Sequence, residues 1–258
     1  MPPATIRSTP EARQSRPQRV AEAIKQWVVD EGWEPGQRLP SEAALIARFG
    51  MAKGTIREAI RLLEAQGLVR SRTGPGGGVF VHQVSEARAA ALLGNYFYFV
   101  RPSIDDIYQL RAALEPELAA SLAGQLNTAQ LARLEAVIAE SAQPAASAEE
   151  EAARHAASLR FHATLAEMSG NPLLRFVIGF LAELLGEMTV TRGLHADTDP
   201  ELWQSGQDYQ TRLVTALRAG DAEGARAVLA AHMQTAHRLM KRQEAALAKR
   251  FLPERGGR

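Results

Sequence analysis

The sequence predicts a mainly α-helical protein in two parts: an N-terminal unit of three short helices closed by a β-hairpin, and a C-terminal all-α antiparallel helical bundle. Three observations carry this. Apolar residues recur at helical spacing from Val20 to Leu63, the period switches to two between Leu68 and His82, and no strand signal follows Ser85.

Residues 1–17 hold few apolar groups and three prolines within the first ten positions, which predicts a flexible tail. Val20, Ala23, Ile24, Trp27 and Val28 mark the buried face of a first helix, stopped by Gly32 and Pro35-Gly36. Ser41 is placed to cap a second helix, with Glu42 in its first turn and Gly50 at its end. The turn Gly50-Met51-Ala52-Lys53 leads to a third helix, whose apolar face is Ile56, Ala59, Ile60 and Leu63. Leu68–Arg72 and Val79–His82 then alternate as two strands joined by the glycine-rich Thr73–Gly78. A helix, a tight turn and a helix followed by a hairpin is a winged helix-turn-helix layout, here over residues 18–84.

Residues 85–250 read as seven amphipathic helices, at about 86–99, 103–125, 128–141, 148–169, 172–192, 200–219 and 221–249. Each break holds Gly, Pro, Asn, Asp or a residue suited to an N-cap.

Composition narrows the function. The 258 residues are 46% hydrophobic, enough for a sizeable core. The absence of cysteine excludes disulfides, thiolate metal sites and a Cys nucleophile. No apolar run approaches the ~18 residues of a membrane span, and the arginine-bearing N-terminus lacks the apolar core of a signal peptide. A cytoplasmic protein without a membrane partner is expected. Residues 1–84 hold 12 Lys+Arg against 8 Asp+Glu, and residues 85–258 hold 18 against 21, so only the first part suits a polyanion. No spacing assembles a catalytic group, and Glu149-Glu150-Glu151 reads as the acidic first turn of a helix, so no enzyme is expected.

In this layout the helix after the turn enters the DNA major groove with its N-terminal residues at the base edges. That places Lys53, Thr55 and Arg57 at double-stranded DNA. Lys53 and Arg57 share a helix face and suit the guanine acceptors, and Thr55 suits phosphate. Arg72, Thr73 and Gly74 stand at the wing tip, within reach of the minor groove or phosphate.

The stretch PGQRLPSEAALIARFGMAKGTIREAIRLLEAQGLVRSRTGPGGGVFV, residues 35–81, resembles the DNA-binding domain of the GntR family of bacterial transcription regulators. The resemblance implies DNA-contacting positions at Lys53, Thr55, Arg57, Thr73 and Gly74. Ala43 replaces an arginine usual in the family and Ala52-Lys53 a usual Ser/Thr-Arg, which implies fewer phosphate and guanine contacts and so a different operator or weaker binding. The stretches IYQLRAALEPELAASLAG, RFHATLAEMSGNPLL and VTALRAGDAEGARAVLAAHM resemble the FadR-type C-terminal ligand-binding domain, FCD, over about residues 86–245.

The FCD resemblance implies a polar pocket inside the bundle. Its usual divalent-metal ligands fall on Ser158, His162, Gln210 and His232. Only His162 and His232 are customary ligands for a metal such as zinc, so the set is incomplete. Three readings stay open: a metal site, a metal-free effector pocket, and an internally satisfied polar cluster. Arg111 falls on a pocket-facing family position, where a guanidinium holds a carboxylate by two hydrogen bonds; a pair with Glu115 at i+4 is the alternative. Asn171 and Arg192 are further effector candidates, though Asn171 also suits capping the helix from Pro172. The resemblance implies a homodimeric, sequence-specific regulator, a repressor, reading an inverted repeat under control of a small organic acid. The alternative is a metabolite- or metal-sensing protein whose DNA binding is weak or secondary.

Overall fold

The computed structural model describes residues 14–140, 142, 147–191 and 200–251. The chain divides into two compact units, Met1–Ala91 and Leu92–Arg258.

The first unit opens with α1 (Arg16–Asp30), which begins before the apolar repeat. Ser15 caps it by accepting from the Gln18 N–H while the Gln18 side chain accepts from the Ser15 N–H. This reciprocal pair satisfies two orphan donors, and Pro17 in the first turn has no donor to lose. The helix therefore claims Arg16 and Pro17 from the expected tail, with Ser15 as its cap; residues 1–13 of that expectation lie outside the described residues. Helices α2 (Glu42–Phe49) and α3 (Lys53–Gln66) end in left-handed Gly50 and Gly67. Strands β1 (Val69–Arg72) and β2 (Gly78–Val81) pair antiparallel, with Val69 opposite Val81 and Arg72 opposite Gly78. The Leu39 N–H donates to the Val79 carbonyl at 2.8 Å, which ties the segment before α2 onto the wing.

Ile24, Leu39, Leu45, Ile56, Ala59 and Leu63 form the core of this unit, each at most 2% exposed. Complete burial of one such aliphatic chain contributes about 1.5–3 kcal/mol. Trp27 lies against Trp33 and Phe49, and the Arg48 guanidinium covers its outer face at 3.8 Å.

Among the described residues seven helices follow: α4 (Glu86–Val100), α5 (Ile104–Leu122), α6 (Thr128–Glu140), α7 (Ala148–Glu167), α8 (Pro172–Thr191), α9 (Pro200–Ala219) and α10 (Ala222–Phe251). Helix α5 is shorter than the periodicity predicts: Ala123 leaves the helical region at ψ 122° and Gly124 follows left-handed at φ 72°. Ser103 caps it, with Asp106 completing the capping box. Pro116 sits inside α5 and is buried. Helix α10 packs along α5 and α9, α7 packs on α8 and α6, and the core they share includes Leu118, Leu134, Phe161, Leu185, Leu213 and Leu229.

Candidate DNA interface and buried effector site

Sequence reasoning names two sites. The first is the face formed by the start of α3 and the wing. The sequence from Ala52 gives α3 no side-chain cap, and the Thr55 N–H turns back to the Ala52 carbonyl at 2.9 Å, at the end where Lys53 and Gly54 stand. That end carries a partial positive charge and suits a phosphate.

Glu42, in the first turn of α2, holds both cations of the α3 start. Its carboxylate accepts from Arg57 Nε at 2.7 Å and lies 3.3 Å from Lys53 Nζ. The Arg57 hydrogen bond is the main reason its carboxyl sits below the usual range. All three side chains are more than a third exposed, so water screens these pairs. Arg57, Arg72 and Thr73 line one cleft of about 770 Å³ together with Arg38, Arg61 and Glu64. The Arg72 guanidinium rests 4.6 Å from the Phe80 ring, which aims it along the wing. Gly74 turns at φ 90° at the wing tip, and Gly77 has no room for a side chain: a Cβ would meet the Arg72 and Gly74 carbonyl oxygens at 2.6 and 2.7 Å.

The second site lies inside the bundle. Arg111 and Glu115, one turn apart on α5, are each 1% exposed. Arg111 Nε donates to Glu115 Oε1 at 2.5 Å, while its Nη2 is buried with no partner. His162, on α7, brings Nδ1 within 2.5 Å of Glu115 Oε2, and its Nε2 shares a 2.8 Å hydrogen bond with the Tyr209 hydroxyl. Gln210 donates to that hydroxyl at 3.3 Å, leaving its own Oε1 without a partner. The His232 ring stacks on Tyr209, and its Nδ1 is also unpaired.

The electrostatics follow from burial among fixed charges. Desolvation alone raises the Glu115 carboxyl, but Arg111 and then His162 outweigh it and hold it far below the usual range. Desolvation is the largest influence on both imidazoles and lowers their pKa values. It lowers His162 against the opposing pull of Glu115, and lowers His232 further because His162 and Arg111 add to the effect. Burial raises the Tyr209 phenol, so it stays a donor.

Beside this cluster lies a pocket of about 60 Å³, room for a few waters. Its lining includes Arg111, Ser158, His162, Gln210 and His232, so the structure brings five sequence-named positions together. Asn171 is not in that lining: its side-chain oxygen accepts from the Leu173 and Leu174 N–H groups and caps α8. Arg192 lies outside the described residues. Tyr209 and Tyr108 were not singled out, because an aromatic on an apolar helix face reads as core. Glu115 was visible at i+4 from Arg111, but its reach to His162 depends on how α7 packs.

The metal implied by the resemblance does not fit these residues. Both nitrogens of His162 face Glu115 and Tyr209, and Ser158 and Gln210 offer poor donors. No group of three or more His, Asp or Glu among the described residues could hold a metal ion.

A two-stranded wing beside a helix-turn-helix, joined in one chain to an all-α domain with a polar core, defines a ligand-responsive transcription regulator. Residues 17–81 match the family described as "Bacterial regulatory proteins, gntR family", and residues 106–235 match the FCD domain. The chain belongs to the gntR family of bacterial regulatory proteins and carries an FCD domain. It is 30% identical over 233 residues to the "Putative L-lactate dehydrogenase operon regulatory protein" of Escherichia coli (strain K12), covering 86% of this chain and 85% of that one. It is 27% identical over 240 residues to the "HTH-type transcriptional repressor NanR" of Citrobacter rodentium (strain ICC168), covering 90% and 87%. The solved structure titled "Streptococcus agalactiae GntR" shares the fold at a TM-score of 0.57 and 18% identity, over 86% of this chain and 99% of that one. Regulators of this family bind DNA, are typically dimeric and respond to small molecules. Among the described residues no helix is long and apolar enough to cross a membrane.

Proposed function

We propose that this chain is a cytoplasmic, homodimeric repressor that reads an inverted-repeat operator and is controlled by a small organic acid bound in the core of its FCD domain. Two wings per dimer match two half-sites about one helical turn apart. Lys53, Thr55 and Arg57 reach the major groove, and Arg72, Thr73 and Gly74 reach the minor groove or phosphate. For this Arg57 and Lys53 exchange Glu42 for the DNA. The sense of regulation follows the relative named a repressor. Catalysis has no part in this reading.

The observation that carries the effector is the unpartnered Nη2 of Arg111, a residue that lines this pocket. A buried guanidinium N–H left unsatisfied is costly, and a carboxylate oxygen is its natural acceptor. Ser158 and His232 line the space for the rest of the molecule. The volume favours acids of few heavy atoms. Because one relative's name refers to an L-lactate dehydrogenase operon, L-lactate is the first probe.

The test is titration of operator DNA with and without L-lactate and a panel of two- to four-carbon carboxylates. Release shifts affinity by about 1–3 kcal/mol, the usual coupling between sites. Arg111→Lys keeps a cation near Glu115 but loses the planar fork, so it retains DNA binding and loses the response. An unchanged response in that variant rejects the clamp.

A further inference from the structure

Residues 37–39 extend the wing sheet beyond β2. The Val81 N–H donates to the Gln37 carbonyl and the Leu39 N–H to the Val79 carbonyl, each at 2.8 Å, and Arg38 stands opposite Phe80. On the other side of β2, Arg70 stands opposite Phe80 and Arg72 opposite Gly78. Side chains alternate along a strand, and directly opposed residues share a face. Val69 and Val81 belong to the core, so Arg38, Arg70, Arg72 and Phe80 fall on the outer face. Two of these arginines are seated. The Arg72 guanidinium leans on the Phe80 ring, and Arg38 lies across Gly78, where a methyl group would stand 2.5 Å from its Nε. Arg38 also lines the cleft that holds Arg57, Arg61, Arg72 and Thr73. The carboxylates of that cleft are engaged elsewhere: Glu42 by Arg57 and Lys53, and Glu64 by the Ser71 N–H at 2.7 Å. Arg61 pairs with Glu58. Among the described residues Arg38 has no carboxylate partner.

We propose that Arg38 is a further DNA contact, a backbone anchor whose guanidinium binds a phosphate at the cleft between the start of α3 and the wing tip. The inference rests on the operator reading of the proposed function and adds a residue to it. Position favours phosphate over a base edge. Phe80, opposite Arg38, stands two residues behind the outermost wing pair of Arg72 and Gly78. That is about 7 Å of strand, so Arg38 stops short of the groove that the tip enters. Its side chain is also laid along the sheet by Gly78 rather than thrown forward from a helix end. Availability favours it too. Arg57 must leave Glu42 before it meets DNA, whereas Arg38 has no ion pair to surrender. The planar fork of a guanidinium suits two phosphate oxygens. Placed there, Arg38 fixes the register of the wing on the duplex and carries no sequence information itself.

The test is titration of the full chain at several salt concentrations, on the duplex that the parent selects from a random-sequence pool and on poly(dI-dC). Loss of one phosphate contact lowers the slope of log affinity against log salt by about 0.9. Arg38→Gln is expected to show that loss on both DNAs. Binding weakens about three- to tenfold near 0.1 M salt, base preference is unchanged, and the variant meets the parent near 1 M. Arg38→Lys keeps the charge without the fork over Gly78 and keeps the slope. An unchanged slope in Arg38→Gln, or a weakening confined to the selected duplex, overturns the assignment. A slope lost equally in Arg38→Lys assigns the side chain to wing packing and overturns it as well. Arg38→Cys decides the matter if the glutamine variant fails to fold, because the chain has no other cysteine to label. An iron–EDTA group attached there cuts the selected duplex at discrete positions; uniform cutting, or none, overturns the contact. A parent without salt-dependent affinity for either DNA rejects the operator reading itself, and this contact with it.

Discussion

Arg111 is the residue on which the bundle core turns. It has a carboxylate on one side and an open donor on the other. Arg111→Ala leaves Glu115 buried against neutral groups, and loss of one partner of a buried pair costs about 3–5 kcal/mol. Urea unfolding of the variant measures this, and Arg111→Met/Glu115→Leu recovers most of the loss. On the DNA face, Arg57→Ala lowers specific operator affinity by about 1–3 kcal/mol and relaxes one base position in a substituted-operator titration. Glu42→Gln acts in the opposite direction. It frees Lys53 and Arg57, so binding to non-specific DNA tightens roughly three- to tenfold at low salt and converges with the parent at high salt. Arg57 was legible in the sequence as a groove-facing residue, but its partner was not. Glu42 reads locally as an acidic first-turn residue of α2, and only the packing of α2 on α3 brings it to Arg57.

At the level of elements, punctuation did most of the specification. Gly50 stops α2 where the pattern predicts and Gly67 stops α3, and the bundle helices among the described residues follow the predicted order. The start of α1 was less legible, because a capping box of Ser15 and Gln18 contains no apolar residue and periodicity does not register it. The wing depends on one tight point. A methyl group on Gly77 collides with two backbone carbonyls, which cannot swing aside as a side chain does. Gly77→Ala therefore reshapes the tip carrying Thr73 and Gly74. The expected result is weaker operator binding with an unaltered thermal transition for the bundle, followed by calorimetry.

For the molecule as a whole, acid is the natural denaturant. His162 and His232 are held neutral in the folded chain, their pKa values lowered by burial. Below the unfolded value of about 6.5, the unfolded state binds protons that the native state refuses. Their stabilising contribution is therefore present above that pH and is lost as pH falls. The slope is at most about 1.4 kcal/mol per pH unit for each histidine, the one-proton limit. Glu115, whose pKa is lowered, adds a second loss in the same direction below about pH 4.3. Urea midpoints between pH 7 and pH 4 check this, and His232→Gln flattens the upper part of the curve. A midpoint independent of pH across that range contradicts the neutral-imidazole assignment.

The proline inside α5 has a consequence for how that helix breathes. Pro116 has no N–H to donate to the Ala112 carbonyl, so one rung of the ladder is missing beside Arg111 and Glu115. Helical segments on the two sides of a missing rung need not open together. In hydrogen–deuterium exchange, amides of Ile107–Glu115 and of Leu118–Leu122 should then show separate protection, and an acid seated on Arg111 should slow the first set more than the second. The backbone itself would report occupancy of the core, without any label and without DNA.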